Sequence, residues 1–488
     1  MPDKLPHPAA PSLIQAFRAL LGPPGVLAEP VDIAPHLSDW RGLYQGEAMA
    51  VLRPASTAEV AACVKLCAEH GIAIIPQGGN TSMVGGATPE ARPRQVVLSL
   101  ARMNRVRAVD TADMTMTVEA GLVLARAQQV AAEHGVLFPL SLGAEGTAMI
   151  GGLLSTNAGG NTTVRYGNAR ELMLGLEVVL PDGSVINGLR RLRKDNTGYA
   201  LRHLFVGAEG TLGIITAAVL RLFPAARETA TALCAVPSED AALALFRRFR
   251  AADEGAVRAF EYMSGIGMGM VLANIEGAVL PLSAPGAAPG AAPSAHYVLV
   301  DLSASREGAG LRALMEGVLE AAMEAGEVED AALAESEAQR AAIWRLREEH
   351  PEAQKRAGAS VKNDVSVPVS AVPELIRRAS EACLALIPGS RPVPFGHMGD
   401  GNIHMNLAQP EAMSAVDFLA RSHDIMDVVN EVVRELGGSF SAEHGIGRLK
   451  TDMMEAWRGG AELAAMRRIK AALDPQGLMN PGKLLPDA

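Results

Sequence analysis

Apolar positions along the chain follow two spacings, one helical and one alternating. Ser12–Leu21 carries an amphipathic stripe inside a short helical extension that covers residues 1–45. Ser56-Thr-Ala-Glu59 has the form of a capping box and opens a helix that ends near Gly71. A strand at Ile72–Ile75 runs into glycine-rich Pro76–Gly86. Strands at Val96–Leu100 and Thr115–Glu119, a helix at Leu124–His134 and a strand at Val136–Leu140 follow. Leu174–Leu180, then Pro181-Asp-Gly-Ser184 and Val185, reads as a hairpin with an Asp-Gly turn. Strands and helices in alternation predict an α/β or α+β domain. A boundary falls near Phe223-Pro224. Beyond it, Ala- and Glu-rich helices alternate with strands such as Tyr297–Leu302, and the chain from about Val416 onward is mostly helical. Residues 281–295 are low in complexity and read as a surface loop. No repeat of fixed period is present.

Bulk properties narrow the picture. At 488 residues the chain exceeds a single hydrophobic core, so two or three domains are expected. The net charge of −10 and the lack of a basic tract argue against a nucleic-acid partner. Four cysteines form no disulfide framework, and Cys63 and Cys67, one helical turn apart, read as apolar helix residues rather than a redox pair. The N-terminus shows no secretory signal and no apolar run reaches membrane-spanning length, so a cytoplasmic location without a membrane span is expected.

Two segments hold more glycine than a core element tolerates: Pro76-Gln-Gly-Gly-Asn-Thr-Ser-Met-Val-Gly-Gly86 and Gly143–Gly160. Successive backbone N–H groups in such turns make concave anion sites suited to a pyrophosphate. Neither segment is a Gly-x-Gly-x-x-Gly fingerprint, so an NAD site of the Rossmann kind is not indicated. Together with Gly207-Ala-Glu-Gly-Thr-Leu-Gly-Ile-Ile-Thr216, the loops resemble the FAD-binding domain of the vanillyl-alcohol oxidase/p-cresol methylhydroxylase superfamily. The resemblance implies that Pro76, Gly78, Gly79, Asn80 and Thr81, with Gly143, Thr147, Gly151, Gly152, Ser155, Asn157, Gly159 and Gly160, surround the pyrophosphate. It implies that Glu209, Gly210, Ile214 and Ile215 reach the adenine and the flavin. Some members tether the flavin through a histidine in or near these loops. Gln77–Thr81 holds no His or Cys, so the FAD is expected to be non-covalent.

The second half carries Phe395-Gly-His-Met-Gly-Asp-Gly-Asn-Ile-His-Met-Asn406. Folded as a hairpin turning at Asp400-Gly401, it would set His397 opposite His404 with Cβ atoms roughly 4.5–5.5 Å apart. Such a pair can share one metal ion at about 2.0–2.1 Å, or form a hydrogen-bonded core pair. Asn406 would share their face. Asp400 before a glycine is read as a turn former. In Gly438-Ser-Phe-Ser-Ala-Glu-His-Gly-Ile-Gly447, Glu443 and His444 would point apart on a regular strand, one able to ligate and the other to face a substrate.

These stretches, with terminal Asn480-Pro-Gly-Lys483, resemble FAD-linked D-2-hydroxy acid dehydrogenases over residues 46–488, closest to the D-2-hydroxyglutarate branch. By that resemblance His397, His404 and Glu443 are divalent metal ligands (Zn²⁺, with Mn²⁺ also fitting), His444 is the general base, and Asn480 lies near the flavin. The implied fold is α+β. A two-part FAD-binding domain of the p-cresol methylhydroxylase type spans 46–225, an α+β substrate or cap domain with the metal site spans 226–425, and a helical segment spans 426–488. The implied reaction is oxidation of a D-2-hydroxy acid to the 2-oxo acid by proton removal and hydride transfer to FAD. Arg347 in Trp344-Arg-Leu-Arg347, Lys362 in Val361-Lys-Asn-Asp364, and Asn406 are the matching substrate positions, favouring D-2-hydroxyglutarate or D-malate. Pro351, where that branch commonly has a hydroxyl residue, tells against it, and D-lactate or glycolate is the alternative substrate. A flavoprotein subunit with a purely structural metal motif is the rival of another class. An electron-transfer flavoprotein or a quinone system is expected as acceptor, and a homodimer is an open assembly.

Overall fold

The computed structural model describes residues 10–282, 292 and 294–486. Most of the low-complexity stretch 281–295 therefore lies outside the described residues. The chain forms two compact units: residues 1–159, 167–224 and 443–488 make the first, and residues 160–166 and 225–442 make the second. The second unit is thus an insertion into the first.

In the first unit the helix at 57–70 forms as its ends dictate. Ser56 Oγ accepts the Glu59 N–H at 3.2 Å, Glu59 Oε2 accepts the Ala55 N–H at 2.7 Å, and Gly71 closes the helix with φ +60°. Val60, Cys63, Val64 and Cys67 form its buried stripe. Burial pushes the Cys63 thiol up to about 12 and Cys67 well above its ordinary value, so both cysteines serve as apolar packing. Two sheets follow. A four-stranded sheet orders Val26–Leu27, Val51–Leu52, Gln95–Ser99 and Ala73–Gln77, the last three joined by parallel pairing. A five-stranded antiparallel sheet orders Val106–Asp110, Thr115–Glu119, Ile214–Arg221, Met173–Val179 and Val185–Gly188. Its last two strands are the hairpin expected around Asp182-Gly183, and Gly183 takes φ +79° in the turn.

The second unit is built on one antiparallel sheet of eight strands. Its order is Asp330–Leu333, Glu228–Val236, His296–Ala304, Val257–Ser264, Arg391–His397, Asn402–Ala408 and Ser360–Val361, with Asp364–Ser366 also on Asn402–Ala408. Strand 257–264 is buried along almost its whole length, which matches a central strand covered on both faces. The helices at 337–348 and 350–356 follow one another with Pro351 in the first turn of the second, where its missing N–H costs nothing.

Candidate active site

The glycine-rich loops of the first unit converge. A Cβ on Gly79 would sit 2.0 Å from the Thr147 carbonyl oxygen, so the first loop can press on the second only with glycine there. One on Gly210 would meet the Pro76 ring at 3.1 Å, and one on Gly445 would meet Glu209 Oε1 at 2.7 Å. Four of the seven non-glycine residues with left-handed backbone among the described residues are Asn80, Asn157, Glu209 and Asn480, all of them expected flavin-site positions. Conformations that unfavourable persist where the surroundings over-determine them, and such places concentrate at ligand sites. Asn480 ties the ends together: its backbone N–H donates to the Ile74 carbonyl at 2.9 Å, and its Nδ2 donates to the carbonyls of Gly86 and Glu209 at 3.0 and 2.7 Å.

The other expected positions have varied surroundings. Ser155 Oγ donates to the Gly151 carbonyl at 2.7 Å, Asn157 Oδ1 accepts the Arg170 N–H at 3.0 Å, and Ile214 and Ile215 are core residues of a central strand. Gly143 and Thr147 are exposed, and Gly152 has open space where a Cβ would be. Gly160 opens the short segment assigned to the second unit. The Glu209 carboxylate accepts the N–H groups of Ile446 and Gly447 at 2.7 and 2.8 Å. Burial raises its carboxyl, while those N–H groups and Lys450 pull the other way. Glu209 therefore anchors the turn just after His444 rather than offering its carboxylate to a nucleotide. The Oδ1 atoms of Asn480 and Asn80 are buried without a partner among the described residues. Such acceptors await a donor, and with the bare backbone of the loops they fit a dinucleotide.

In the second unit the hairpin departs from the expected register. His397 pairs with Asn402, and Phe395 pairs with His404. The turn takes four residues, Met398–Gly401, not two, and the Gly401 N–H closes it on the His397 carbonyl at 3.1 Å. Met398 is fully buried and the Gly399 N–H donates to the Phe260 carbonyl at 3.2 Å, so the core draws the turn inward and widens it. The histidines consequently stand diagonally on one face, ring centroids 5.8 Å apart at 75°. They still offer ring nitrogens within 4.8 Å of each other. Asp400 accepts the Asn402 N–H at 3.2 Å, which is turn chemistry. Burial pushes its carboxyl up to about 6, with His397 opposing and Glu261 adding to the rise.

A carboxylate stands behind each imidazole. Glu261, in the central strand, accepts from His397 Nδ1 at 2.9 Å through Oε1 and from Arg347 Nε at 2.8 Å through Oε2. Burial alone would raise this carboxyl, but His397 and Arg347 outweigh it and hold it at about 2. The bond at Nδ1 leaves Nε2 as the nitrogen His397 can offer a metal. Asp364 Oδ1 lies 3.8 Å from His404 Nδ1 and accepts from Asn402 Nδ2 at 3.0 Å. Phe395 packs against the His404 ring at 4.9 Å and under the Arg347 guanidinium at 4.9 Å. The imidazole pair, with one carboxylate already committed to holding a ring, suits a divalent ion.

Arg347 is buried on the last turn of the 337–348 helix, and its Nε bond to Glu261 leaves the terminal nitrogens without a further hydrogen bond among the described residues. Lys362 is half-buried in the loop between Ser360–Val361 and Asp364–Ser366. Asn406 is buried with its amide taken up in the fold: Nδ2 donates to Gln354 Oε1 at 3.0 Å and Oδ1 accepts the Asn363 N–H at 3.3 Å. Glu443 follows Ala442 by one peptide bond, and Ala442 N donates to the Asp364 carbonyl at 3.4 Å. His444 precedes Gly445, whose φ of +78° bends the chain toward the turn held by Glu209.

Residues 48–188 match the FAD binding domain family, and residues 225–484 match the C-terminal domain of FAD linked oxidases. The chain belongs to the FAD-linked oxidase family. Curated relatives of this FAD-linked oxidase include the D-2-hydroxyglutarate dehydrogenase of Xanthomonas citri pv. viticola, 38% identical over 97% of this chain and 96% of that one. The mitochondrial D-2-hydroxyglutarate dehydrogenase of Bos taurus is 38% identical over 95% of this chain and 82% of its own. That of Stutzerimonas stutzeri is 33% identical over 97% and 99%. Among solved structures, p-cresol methylhydroxylase superposes with a TM-score of 0.75 at 18% identity, covering 98% and 97% of the two chains. Alkyldihydroxyacetonephosphate synthase gives 0.74 at 16%, covering 98% and 86%. Those two establish the α+β fold of this flavin-dependent oxidoreductase. Among the described residues no helix is long and apolar enough to cross a membrane.

Sequence reasoning missed Glu261 and Asp364 in the oxidase. The signal was a single Glu in Val257-Arg-Ala-Phe-Glu-Tyr-Met-Ser264, a strand otherwise apolar at its centre, because a charge placed there must have a partner.

Proposed function

We propose that this FAD-linked oxidase is a D-2-hydroxyglutarate dehydrogenase, converting the D-2-hydroxy acid to 2-oxoglutarate and accepting D-malate as well. The supporting observation is the Arg347–Glu261–His397 chain, which fixes a guanidinium beside the imidazole pair. Such a cation suits a carboxylate of a 2-hydroxy acid whose hydroxyl lies at the imidazole pair. The full-length similarity to curated D-2-hydroxyglutarate dehydrogenases agrees with this reading.

His397, His404 and Glu443 would hold the divalent ion, Zn²⁺ or Mn²⁺, and the loops at 76–86, 143–160 and 207–215 with Asn480 would hold non-covalent FAD. Bound there, the ion would supply Lewis acidity for the substrate hydroxyl and FAD would supply the hydride acceptor. His444 takes the hydroxyl proton as general base, and Glu209 keeps its turn in place. Arg347 and Lys362 bind the carboxylates by charge-assisted hydrogen bonds. An electron-transfer flavoprotein or a quinone system would be the electron acceptor.

Anaerobic mixing with D-2-hydroxy acids, followed by flavin absorbance, tests this. D-2-hydroxyglutarate should bleach the flavin, and its kcat/KM should exceed that of D-lactate by about tenfold to a hundredfold per added contact. Lys362→Ala should cost the dicarboxylate far more than D-lactate. A wild type that prefers D-lactate would favour the reading suggested by Pro351, and an unbleached flavin with every hydroxy acid would leave the histidines structural.

A further inference from the structure

Glu261 is a fully buried carboxylate with both oxygens committed, one to His397 Nδ1 at 2.9 Å and the other to Arg347 Nε at 2.8 Å. The two partners have different expected tasks: His397 presents a nitrogen to a cation, and Arg347 meets an anion. They come from separate elements, strand 391–397 and helix 337–348, while Glu261 sits on strand 257–264, paired directly with strand 391–397. The Arg347 guanidinium is also seated 4.9 Å from the Phe395 ring centroid, and Phe395 is the residue paired with His404. Neither partner can move alone without unpairing a buried charge.

We propose that Glu261 is a positioning residue shared by the metal ligand and the substrate arginine, so that metal affinity and dicarboxylate selectivity depend on one side chain. The inference rests on the reading of His397 as a metal ligand and Arg347 as a substrate contact. By accepting from Nδ1, Glu261 fixes the tautomer that leaves Nε2 for the ion and sets the plane of the ring. By accepting from Nε, it fixes the direction in which the two terminal nitrogens of Arg347 can donate.

The test uses the FAD-loaded enzyme stripped of metal by a strong chelator, then titrated with Zn²⁺ against a chromophoric competitor. Glu261→Gln keeps the shape and removes the charge, and should weaken Zn²⁺ binding about 10–100-fold. At saturating Zn²⁺, its kcat/KM for D-2-hydroxyglutarate relative to D-lactate should fall about tenfold, carried by KM, while kcat largely recovers. Because Glu261→Gln leaves Arg347 charged and unpaired, Glu261→Gln/Arg347→Gln is made alongside; it should show the same loss of Zn²⁺ affinity. Flavin content and Tm report whether each variant is folded. Wild-type Zn²⁺ affinity in a folded Glu261→Gln variant, or an unchanged substrate ratio, overturns the inference while leaving the metal reading intact. A wild type that takes up no Zn²⁺ overturns both.

Discussion

Asp400 lies in the turn between the two histidines, buried, with its Oδ1 on the Asn402 N–H and its carboxyl raised to about 6 by burial. An acid three residues from one histidine and four from the other looks like a ligand when only sequence distance is weighed. Its bond to the turn gives it another occupation. Asp400→Asn, which keeps that acceptor, should therefore leave the metal content of the purified protein unchanged by elemental analysis; loss of the metal would make Asp400 a ligand. At this scale some residues were readable and others were not. The loop glycines stand out because their density is unusual for a core element, whereas Asn480 was expected only through the family resemblance. The side-chain role of Glu209 was not readable, since nothing in Gly207-Ala-Glu-Gly210 says that its carboxylate will hold two N–H groups from residues 446 and 447. That pairing spans 237 residues of sequence and exists only once the fold has formed.

The helix at 57–70 was readable to within a residue at either end, because the cap, the stripe and the closing glycine all lie within it. The hairpin at 391–408 was readable as a hairpin but not in its register. Asp-Gly favours a two-residue turn locally, and the burial of Met398 with the Gly399–Phe260 bond overrules it. A shift of this kind displaced the partner of each histidine by two residues and so kept both on one face. The short helix at 350–356 carries a sharper test. His350 is fully buried, and burial with the nearby Arg347 charge lowers its pKa to about 3. Between about 3 and the ordinary 6.5, the unfolded chain binds a proton that the folded chain does not. Stability should thus fall as the pH falls below 6.5, by about 1.4 kcal/mol per pH unit from this residue. Urea melts at pH 7 and pH 5 should show that loss of about 2 kcal/mol in the wild type, and His350→Gln should abolish it. Equal slopes in both proteins would mean that His350 is protonated in the fold.

The first unit is assembled from three separate stretches of chain, and the loops proposed to hold FAD draw on all of them. Cofactor binding should accordingly need residues 443–488, which bring Asn480 and the turn held by Glu209. A chain ending at residue 442 should purify without yellow colour, whereas the full chain should carry FAD that heat or acid releases into the supernatant. Flavin that stays with the precipitated protein would mean a covalent tether. The same threading has a temporal side. During synthesis the loops at 76–86 and 143–160 emerge early, the inserted sheet unit follows, and Asn480 comes last, so the insertion can complete its folding while the cradle still waits for its final strap. On the proposed cofactor site, flavin capture would wait for residues 443–488, and the amount of active enzyme in a cell short of flavin would be set after that stretch is made.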